Sequence, residues 1–293
     1  MKKLFLPSLF ILAFSINVIA QDSAWTKILD DSLKATGVAG RITGTFKATQ
    51  IINTPTIEAP GKYGLNFLIM HRFGRLNEGG YALFGLDNAV IRFGLDYGIN
   101  DRFSIGIGRS SLDKTYDASF KWKLLRQTEN KMPVSVSLYE LLTRTTLKYD
   151  DKPFFTGKYR NAYESALLIA RKFSPKFSFQ VTPIWLHYNL VASPQDDNDV
   201  IAIGLGGRMK LSKRISLNAE YNLLPTDPVT STEIFHSLSF GIDIETGGHV
   251  FQLIFSNSDG MIGPYYLGKT YGNWADGDIF FGFNISRAFH LKK

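Results

Sequence analysis

The sequence predicts an all-β fold, an antiparallel transmembrane β-barrel of about twelve strands with short periplasmic turns and longer outer loops. Three observations lead to this fold class. From residue 61 onward, apolar and polar residues alternate along segments long enough to cross an outer membrane when tilted. Short and long connections alternate between these segments, which is the asymmetry of such barrels. Phe and Tyr, with 23 and 13 residues, far outnumber the 5 Met, which favours strands over helical bundles.

The clearest pair of strands is Asp87–Ile99 and Asp101–Ser111, which a Gly- and Asn-containing turn joins into a hairpin. One face of the first strand is apolar, whereas the other carries Arg92 and Asp96. Charges on a strand face are unfavourable in the core of a soluble protein but suit the inside of a water-containing barrel. The pattern therefore turns the apolar face toward lipid.

The other segments follow the same alternation, with two predicted irregularities and one short outer link. Glu140 falls in phase with apolar, lipid-facing positions, which predicts a bulge near Tyr139. Pro183 lies in the middle of its segment and lacks a ladder donor, which predicts a second bulge. Leu112–Lys114 is brief for an outer connection. The twelve predicted strands are Gly61–Phe73, Asp87–Ile99, Asp101–Ser111, Thr115–Gln127, Pro133–Leu147, Lys158–Lys172, Lys176–Asn189, Val200–Lys210, Ile215–Leu223, Ile234–Ile244, His249–Asn257 and Asp278–Phe289.

The sequence divides into three parts. Residues 1–20 begin with basic residues, continue with an apolar run and end at a small residue, which is the pattern of a secretory signal peptide. Residues 21–60 form a lead-in that lies in the periplasm or inside the lumen, with a predicted short helix over Asp22–Leu33 and a predicted strand over Thr43–Ile52. Residues 61–293 form the barrel, and its even strand number leaves Thr43–Ile52 outside the wall.

Several stretches of the barrel region resemble a known group of proteins. The sequence is similar to an uncharacterised outer-membrane β-barrel family of Bacteroidetes-type Gram-negative bacteria, a domain-of-unknown-function family. The resemblance implies a barrel in a membrane and no substrate, and Phe289 near the end of the chain looks like the aromatic signal for barrel assembly. The similar stretches are His71–Gly74, Gly85–Ala89, Gly106–Ser111, Ala170–Ser174, Glu245–Phe251 and Gly282–Arg287.

No set of residues predicts chemistry, so we expect no catalytic, cofactor-binding or metal-ligating residue and no cofactor. The chain has no Cys, which excludes thiolate nucleophiles, disulfides and thiolate metal sites. Outer-membrane phospholipases place a Ser two residues from a His on one strand face, whereas His187 and His236 have Asn189 and Leu238 there. The acidic run Asp196–Asp199 could offer oxygen ligands to Ca²⁺, but it lacks the Gly and distal Glu of an EF-hand loop, so we interpret it as a solvated loop tip.

The function most consistent with the sequence is a narrow outer-membrane channel or uptake pore for small solutes. The alternatives are a closed barrel whose outer loops bind a partner or surface ligand and, third, a lipid-modifying enzyme. A set of charged residues faces the lumen and either sets selectivity, with a tilt toward anions, or plugs the barrel through salt bridges. These residues are Arg92, Asp96, Arg102, Asp117, Lys121, Lys123, Arg208, Lys210, Glu220 and Asp243.

The net charge of +7 is spread over alternating strands, so nucleic acid is not an expected partner. Expected partners are outer-membrane lipids, the barrel-assembly machinery during biogenesis and an unidentified small solute. The predicted location is the bacterial outer membrane.

Overall fold

The computed structural model describes residues 40–129, 131–148, 150 and 154–291. Its wall consists of twelve strands whose bounds lie close to those predicted. No described helix is long and apolar enough to cross a membrane. The strands are β1 Gly64–Arg75, β2 Ala89–Gly98, β3 Phe103–Ser110, β4 Thr115–Leu125, β5 Ser135–Thr145, β6 Asn161–Lys172, β7 Phe177–Tyr188, β8 Asp199–Lys210, β9 Ile215–Leu223, β10 Ser237–Glu245, β11 His249–Ser256 and β12 Phe280–His290.

All neighbouring strands are antiparallel, and the sheet closes on itself where β1 pairs with β12. Closure leaves no strand edge, which is the condition for a sheet to cross a bilayer. The seam is regular from Gly64↔His290 to Arg72↔Gly282, with one irregularity at its outer end. The predicted fold class is confirmed.

The wall separates its two faces by strict alternation, as β4 illustrates. Asp117 and Lys121 are buried inside, whereas Tyr116, Phe120 and Trp122 are exposed on the outer surface. Because successive side chains of a strand point to opposite faces, the two-residue period places charges in the lumen and aromatic rings toward lipid.

Both predicted bulges are wrong. Glu140 stays on the outer face with an unbroken register around Tyr139, and its carboxylate accepts a hydrogen bond from Ser165 Oγ at 2.6 Å. The irregularity in this region lies instead in β4, between Lys123 and Leu125. At Pro183 the register with β8 is continuous. The pairing with β6 is interrupted beside Pro183, but the register is the same on both sides of the interruption. The missing donor is therefore accommodated by a local gap in the ladder.

Two chain segments outside the wall fill the lumen. The first, residues 45–58, precedes β1 and is called the plug segment; ten of its fourteen residues are buried, and Lys47 is exposed. The second, residues 257–272, joins β11 to β12 from the outer end and is called the lumen loop; it contains the short helix α1, Gly263–Tyr266. Thr43–Ile52 forms no strand and lies outside the wall. The predicted signal peptide and the helix over Asp22–Leu33 fall outside the described residues.

The inner face of the wall has an apolar half, which the sequence pattern did not predict. Leu168, Leu186 and Val200 on β6, β7 and β8 point inward and are each 0% exposed. They belong to one cluster with Ile51 and Ile52 of the plug segment, which also includes Tyr266 and Leu267 of the lumen loop. The lumen therefore contains a hydrophobic core, and the two segments within it are packed together.

Candidate functional site: the plugged lumen

The plug segment is a tight hairpin whose turn is bound by one carboxylate of the wall. Its backbone turns between Ile51 and Thr54, where the Ile51 amide donates to the Thr54 carbonyl at 2.8 Å. Glu220 on β9 accepts hydrogen bonds from three consecutive amides of this turn, those of Ile52, Asn53 and Thr54, at 3.0 to 3.1 Å. Amides at the turn have no ladder partner, so the buried carboxylate satisfies donors that would otherwise be costly.

Wall side chains satisfy the remaining backbone groups of the plug segment. Lys121 donates to the carbonyls of Thr56 and Glu58 at 2.5 and 2.7 Å. Gln180 both donates to the Pro55 carbonyl at 2.8 Å and accepts from the Ile57 amide at 3.1 Å. These bonds come from β4 and β7, and together with those of Glu220 on β9 they hold the hairpin inside the lumen.

Side chains of two further strands bind the carbonyls of Ile51 and Ile52. Gln252 of β11 and Asn284 of β12 donate to them at 2.8 and 2.9 Å. Between the plug segment and strands β2 to β5 the lumen leaves a cavity of ≈20 Å³, room for about one water molecule. The plug segment therefore occupies most of the space beside these strands.

Most of the predicted lumen charges do lie inside, where they bind the plug segment or each other. Arg92 and Asp117 form a bidentate pair at 2.6 and 2.9 Å between neighbouring parts of the wall. Asp96 accepts from Thr49 of the plug segment at 3.2 Å, and Lys123 donates to the Ala59 carbonyl at 3.4 Å.

On the far side of the barrel, Arg208 donates to Ser216 at 3.1 Å and pairs with Glu245. Asp243 accepts from Gln252 at 2.8 Å. Lys210 is half-buried near the periplasmic end of β8. Arg102 does not line the lumen: it lies in the exposed turn before β3, where the strand alternation does not apply.

The sequence reasoning missed three inward charges. Arg72 is fully buried and donates to Asn53 of the plug segment at 2.7 Å and to Asn284 at 3.0 Å. Glu164 and Glu245 are 1% and 8% exposed. Arg72 lies on the same face of β1 as Asn66, so its inward direction could have been predicted. Leu68 and Met70 also lie on that face, and these apolar residues obscure the pattern.

The lumen loop closes the outer half of the barrel. The hydroxyl of Tyr188 at the end of β7 donates to the Pro264 carbonyl. Tyr265 donates to Asp113 at 3.1 Å, and Lys269 forms an ion pair with the same carboxylate at 3.3 Å. The loop is thus tied to the wall on two sides.

Above the lumen loop lies a cavity of ≈590 Å³, called the outer cavity. Pro264, Tyr265 and Gly268 of the lumen loop line it, together with residues of the three loops that follow β5, β7 and β9. The volume falls within the range of small-molecule sites, about 300–1,000 Å³, and aromatic rings make much of the surface. Tyr159, Tyr188 and Tyr271 contribute such rings.

The predicted solvated loop tip has a structural role at its first residue. Asp196 accepts hydrogen bonds from the Ser231 hydroxyl and from the amides of Ser231, Thr230 and Ser193, and these bonds hold its pKa below the ordinary value. The carboxylate therefore joins the β7–β8 connection to the β9–β10 connection. No metal-ligand cluster occurs among the residues that the structure describes.

The histidines considered for catalysis have other partners. His236 contacts the Tyr221 hydroxyl at 2.5 Å. His187 Nδ1 lies 2.9 Å from Asp199, which also accepts from the Trp185 indole at 2.9 Å on the outer surface. Neither imidazole has a Ser or Thr hydroxyl among its described hydrogen bonds.

Three solved structures share the barrel architecture at low sequence identity. A NanC porin structure is 9% identical with a TM-score of 0.48, covering 78% of this chain and 100% of that one. A KdgM porin is 7% identical with a TM-score of 0.45, covering 78% and 99%. The Acinetobacter baumannii outer membrane protein Omp33 is 11% identical with a TM-score of 0.42, covering 78% and 99%.

No curated protein matches the sequence. Residues 46–289 match the family described as "Membrane bound beta barrel domain (DUF5777)". The match includes nearly all residues of the plug segment as well as the wall. Short turns at one end and long loops at the other agree with the outer-membrane location predicted from the sequence. The chain belongs to this family of membrane-bound β-barrels.

Proposed function

We propose that the protein is an outer-membrane channel for small solutes that is closed in this conformation and conducts when the plug segment leaves its seat. One observation carries the proposal: the lumen is filled by chain segments outside the wall. Barrels of about eight strands fill themselves with their own side chains, whereas wider ones leave internal space. Here that space holds a hairpin that contributes no strand to the wall.

The contacts that seat the plug segment suit a reversible closure. Glu220 and Lys121 bind backbone groups of the hairpin through hydrogen bonds, which water can replace once the hairpin moves. The apolar contacts of Ile51 and Ile52 with the wall oppose this movement. On opening, the charged residues released from the hairpin would line the path and discriminate between solutes by charge.

A cysteine crosslink tests the proposal directly. Asn53 of the plug segment and Ser239 of β10 lie with their polar side-chain atoms 3.4 Å apart, and the chain has no natural Cys. The variant Asn53→Cys/Ser239→Cys is expected to show no channel events in planar bilayers when oxidised and to recover them on reduction. Asn53→Cys alone serves as the matched control.

A second variant addresses opening. Glu220→Gln places an amide among three donors, which weakens the seat, so channel openings should become at least about tenfold more frequent. Absence of conductance at every voltage in the wild-type protein, the reduced crosslink variant and Glu220→Gln would refute the channel. Conductance that is unchanged by the oxidised crosslink would refute the role of the plug segment.

The outer cavity favours a second candidate function, a closed barrel that binds a surface ligand. Its volume, its aromatic lining and its floor of lumen-loop residues are those of a small-molecule site. Replacing Tyr271, which is 49% exposed beside the cavity, by Ala should weaken uptake or binding of a ring-bearing solute. If binding persists in a protein that never conducts, the second function stands and the first fails.

A further inference from the structure

Two arginines and a tyrosine form a row across the outer surface of three adjacent strands. Arg109 of β3 is paired in register with Tyr116 of β4, which is paired in turn with Arg144 of β5. All three side chains are exposed on the lipid side of the wall. Since neighbouring strands lie about 4.8 Å apart, the two arginine backbones are separated by roughly 10 Å. Long side chains at this separation can converge on one group between them.

The row lies at the boundary between lipid and water. Two residues nearer the centre of each strand, Ile107, Ala118 and Leu142 form a parallel row that is fully apolar. Ile107 is 61% exposed and Leu142 is 43% exposed, as expected of side chains in contact with acyl chains. The arginine row therefore lies where the headgroups of the outer leaflet meet the apolar band.

Among the residues that the structure describes, no carboxylate pairs with the two arginines of the row. The Arg109 guanidinium lies 5.7 Å from the centre of the Tyr116 ring, and Arg144 donates to the Asn161 side chain at 3.2 Å. Within the described part of the chain, neither arginine has a carboxylate within 4.0 Å. The exposed Lys114 adds a further cation beside the row.

The row is also uncovered. The connection between β3 and β4 is only the short turn Leu112–Lys114, whereas most connections at this end are long. Hydrogen bonds from Thr146 Oγ1 to the Lys114 carbonyl and from the Leu147 amide to the Asp113 carbonyl tie the turn to the chain after β5. Arg109, Tyr116 and Arg144 are all exposed beside this short turn.

We propose that Arg109, Tyr116 and Arg144 bind the phosphate of a phosphorylated lipid in the outer leaflet. Guanidinium groups bind phosphate oxygens through paired, charge-assisted hydrogen bonds, and the tyrosine suits the headgroup layer. The apolar row below the arginines would contact the acyl chains of the same lipid, which favours a lipid over free phosphate. The proposal concerns the outside of the wall and does not depend on whether the lumen conducts.

Lipid retention measured by native mass spectrometry tests the proposal. The purified protein would be titrated with diphosphoryl lipid A, with the same lipid after enzymatic removal of its phosphates, and with inorganic phosphate. We expect the diphosphoryl lipid to bind at least about tenfold more tightly than the dephosphorylated lipid. Inorganic phosphate should compete only weakly, because it lacks the acyl chains.

The variant Arg109→Gln/Arg144→Gln should abolish the preference for the phosphorylated lipid. Its matched control is Arg171→Gln/Arg287→Gln, which removes two exposed arginines from the opposite end of the wall and should leave the preference unchanged. Folding of each variant is checked by heat-modifiable migration. Equal binding of the two lipids by the wild-type protein, an equal loss in both double variants, or equal binding of phosphate and lipid would overturn the proposal.

Discussion

Gly263 of the lumen loop lies directly against the carboxylate of Glu164, so closely that a Cβ at position 263 would overlap Oε2. Glu164 is 1% exposed, and neither of its carboxylate oxygens has a hydrogen-bond partner among the described groups. The fit of the lumen loop against β6 therefore depends on the missing side chain at position 263.

Replacing Gly263 by Ala should displace the lumen loop. The added methyl group meets only the carboxylate of Glu164, the end of a buried side chain that must rotate away, and overpacking of this kind costs up to about 1–3 kcal/mol. We expect a lower thermal unfolding temperature in detergent and faster protease cleavage within residues 257–272. The matched control is Gly80→Ala, because a Cβ at position 80 meets no atom within 4 Å. Equal cleavage of the two variants would contradict the close fit.

Shortening Ile52 to Ala should loosen the plug segment. Ile52 is 0% exposed and lies in the cluster shared with β6 to β8, so the substitution leaves a cavity and costs about 2–5 kcal/mol. Hydrogen exchange at the turn amides should accelerate accordingly. Ile105→Ala removes the same atoms from a side chain that is 47% exposed toward lipid and should leave exchange in the plug segment unchanged.

The contact that Asp196 makes between the β7–β8 and β9–β10 connections should depend on pH. A carboxyl whose pKa is lowered in the folded protein adds stability at pH values above its unfolded pKa, about 3.9, and loses that contribution as the pH falls through the folded value. Acidification below about pH 4 should therefore release the β7–β8 connection from Ser231, observed as faster hydrogen exchange at Thr230 and Ser231. Asp196→Asn should show this fast exchange already at neutral pH, whereas Asp197→Asn should not.

Glu140 offers a test of depth in the membrane. It lies at the middle of β5 on the outer face, where its contact is the Ser165 hydroxyl. Acidic groups on the lipid face are unfavourable near the middle of the bilayer, so Glu140→Leu should stabilise the barrel by roughly 1–2 kcal/mol in reversible unfolding from vesicles. A destabilised variant would show that the hydrogen bond to Ser165 outweighs the transfer cost.

The wall could be predicted from the sequence because its physics is local. A lipid-facing strand must be apolar on every second residue. The sequences of strands such as β4 and β9 therefore indicate both where the strand lies and which of its side chains face lipid. Glu140 and Pro183 misled the prediction for different reasons: Glu140 breaks the alternation of the lipid face, whereas Pro183 lacks a ladder donor, and each was interpreted as a bulge. The structure accommodates one by a hydrogen bond to a neighbouring strand and the other by a gap in the ladder.

The contents of the lumen could not be predicted in the same way. Gln180, Gln252 and Asn284 hold the plug segment, yet as uncharged residues on the inner face they resemble any other polar position. Leu168 and Leu186 look out of place in a hydrated lumen until Ile51 and Ile52 are known to pack against their cluster. Such contacts join residues more than a hundred positions apart, and no periodicity reports them.

The position of the plug segment constrains how the molecule is built. The hairpin is joined to β1 by only a few residues, and β1 is also the strand that completes the ring with β12. The hairpin must therefore enter the lumen before β1 pairs with β12, or it must pass through the open end of the finished barrel. The order of these two events decides whether the barrel is ever present in the membrane with an unplugged lumen.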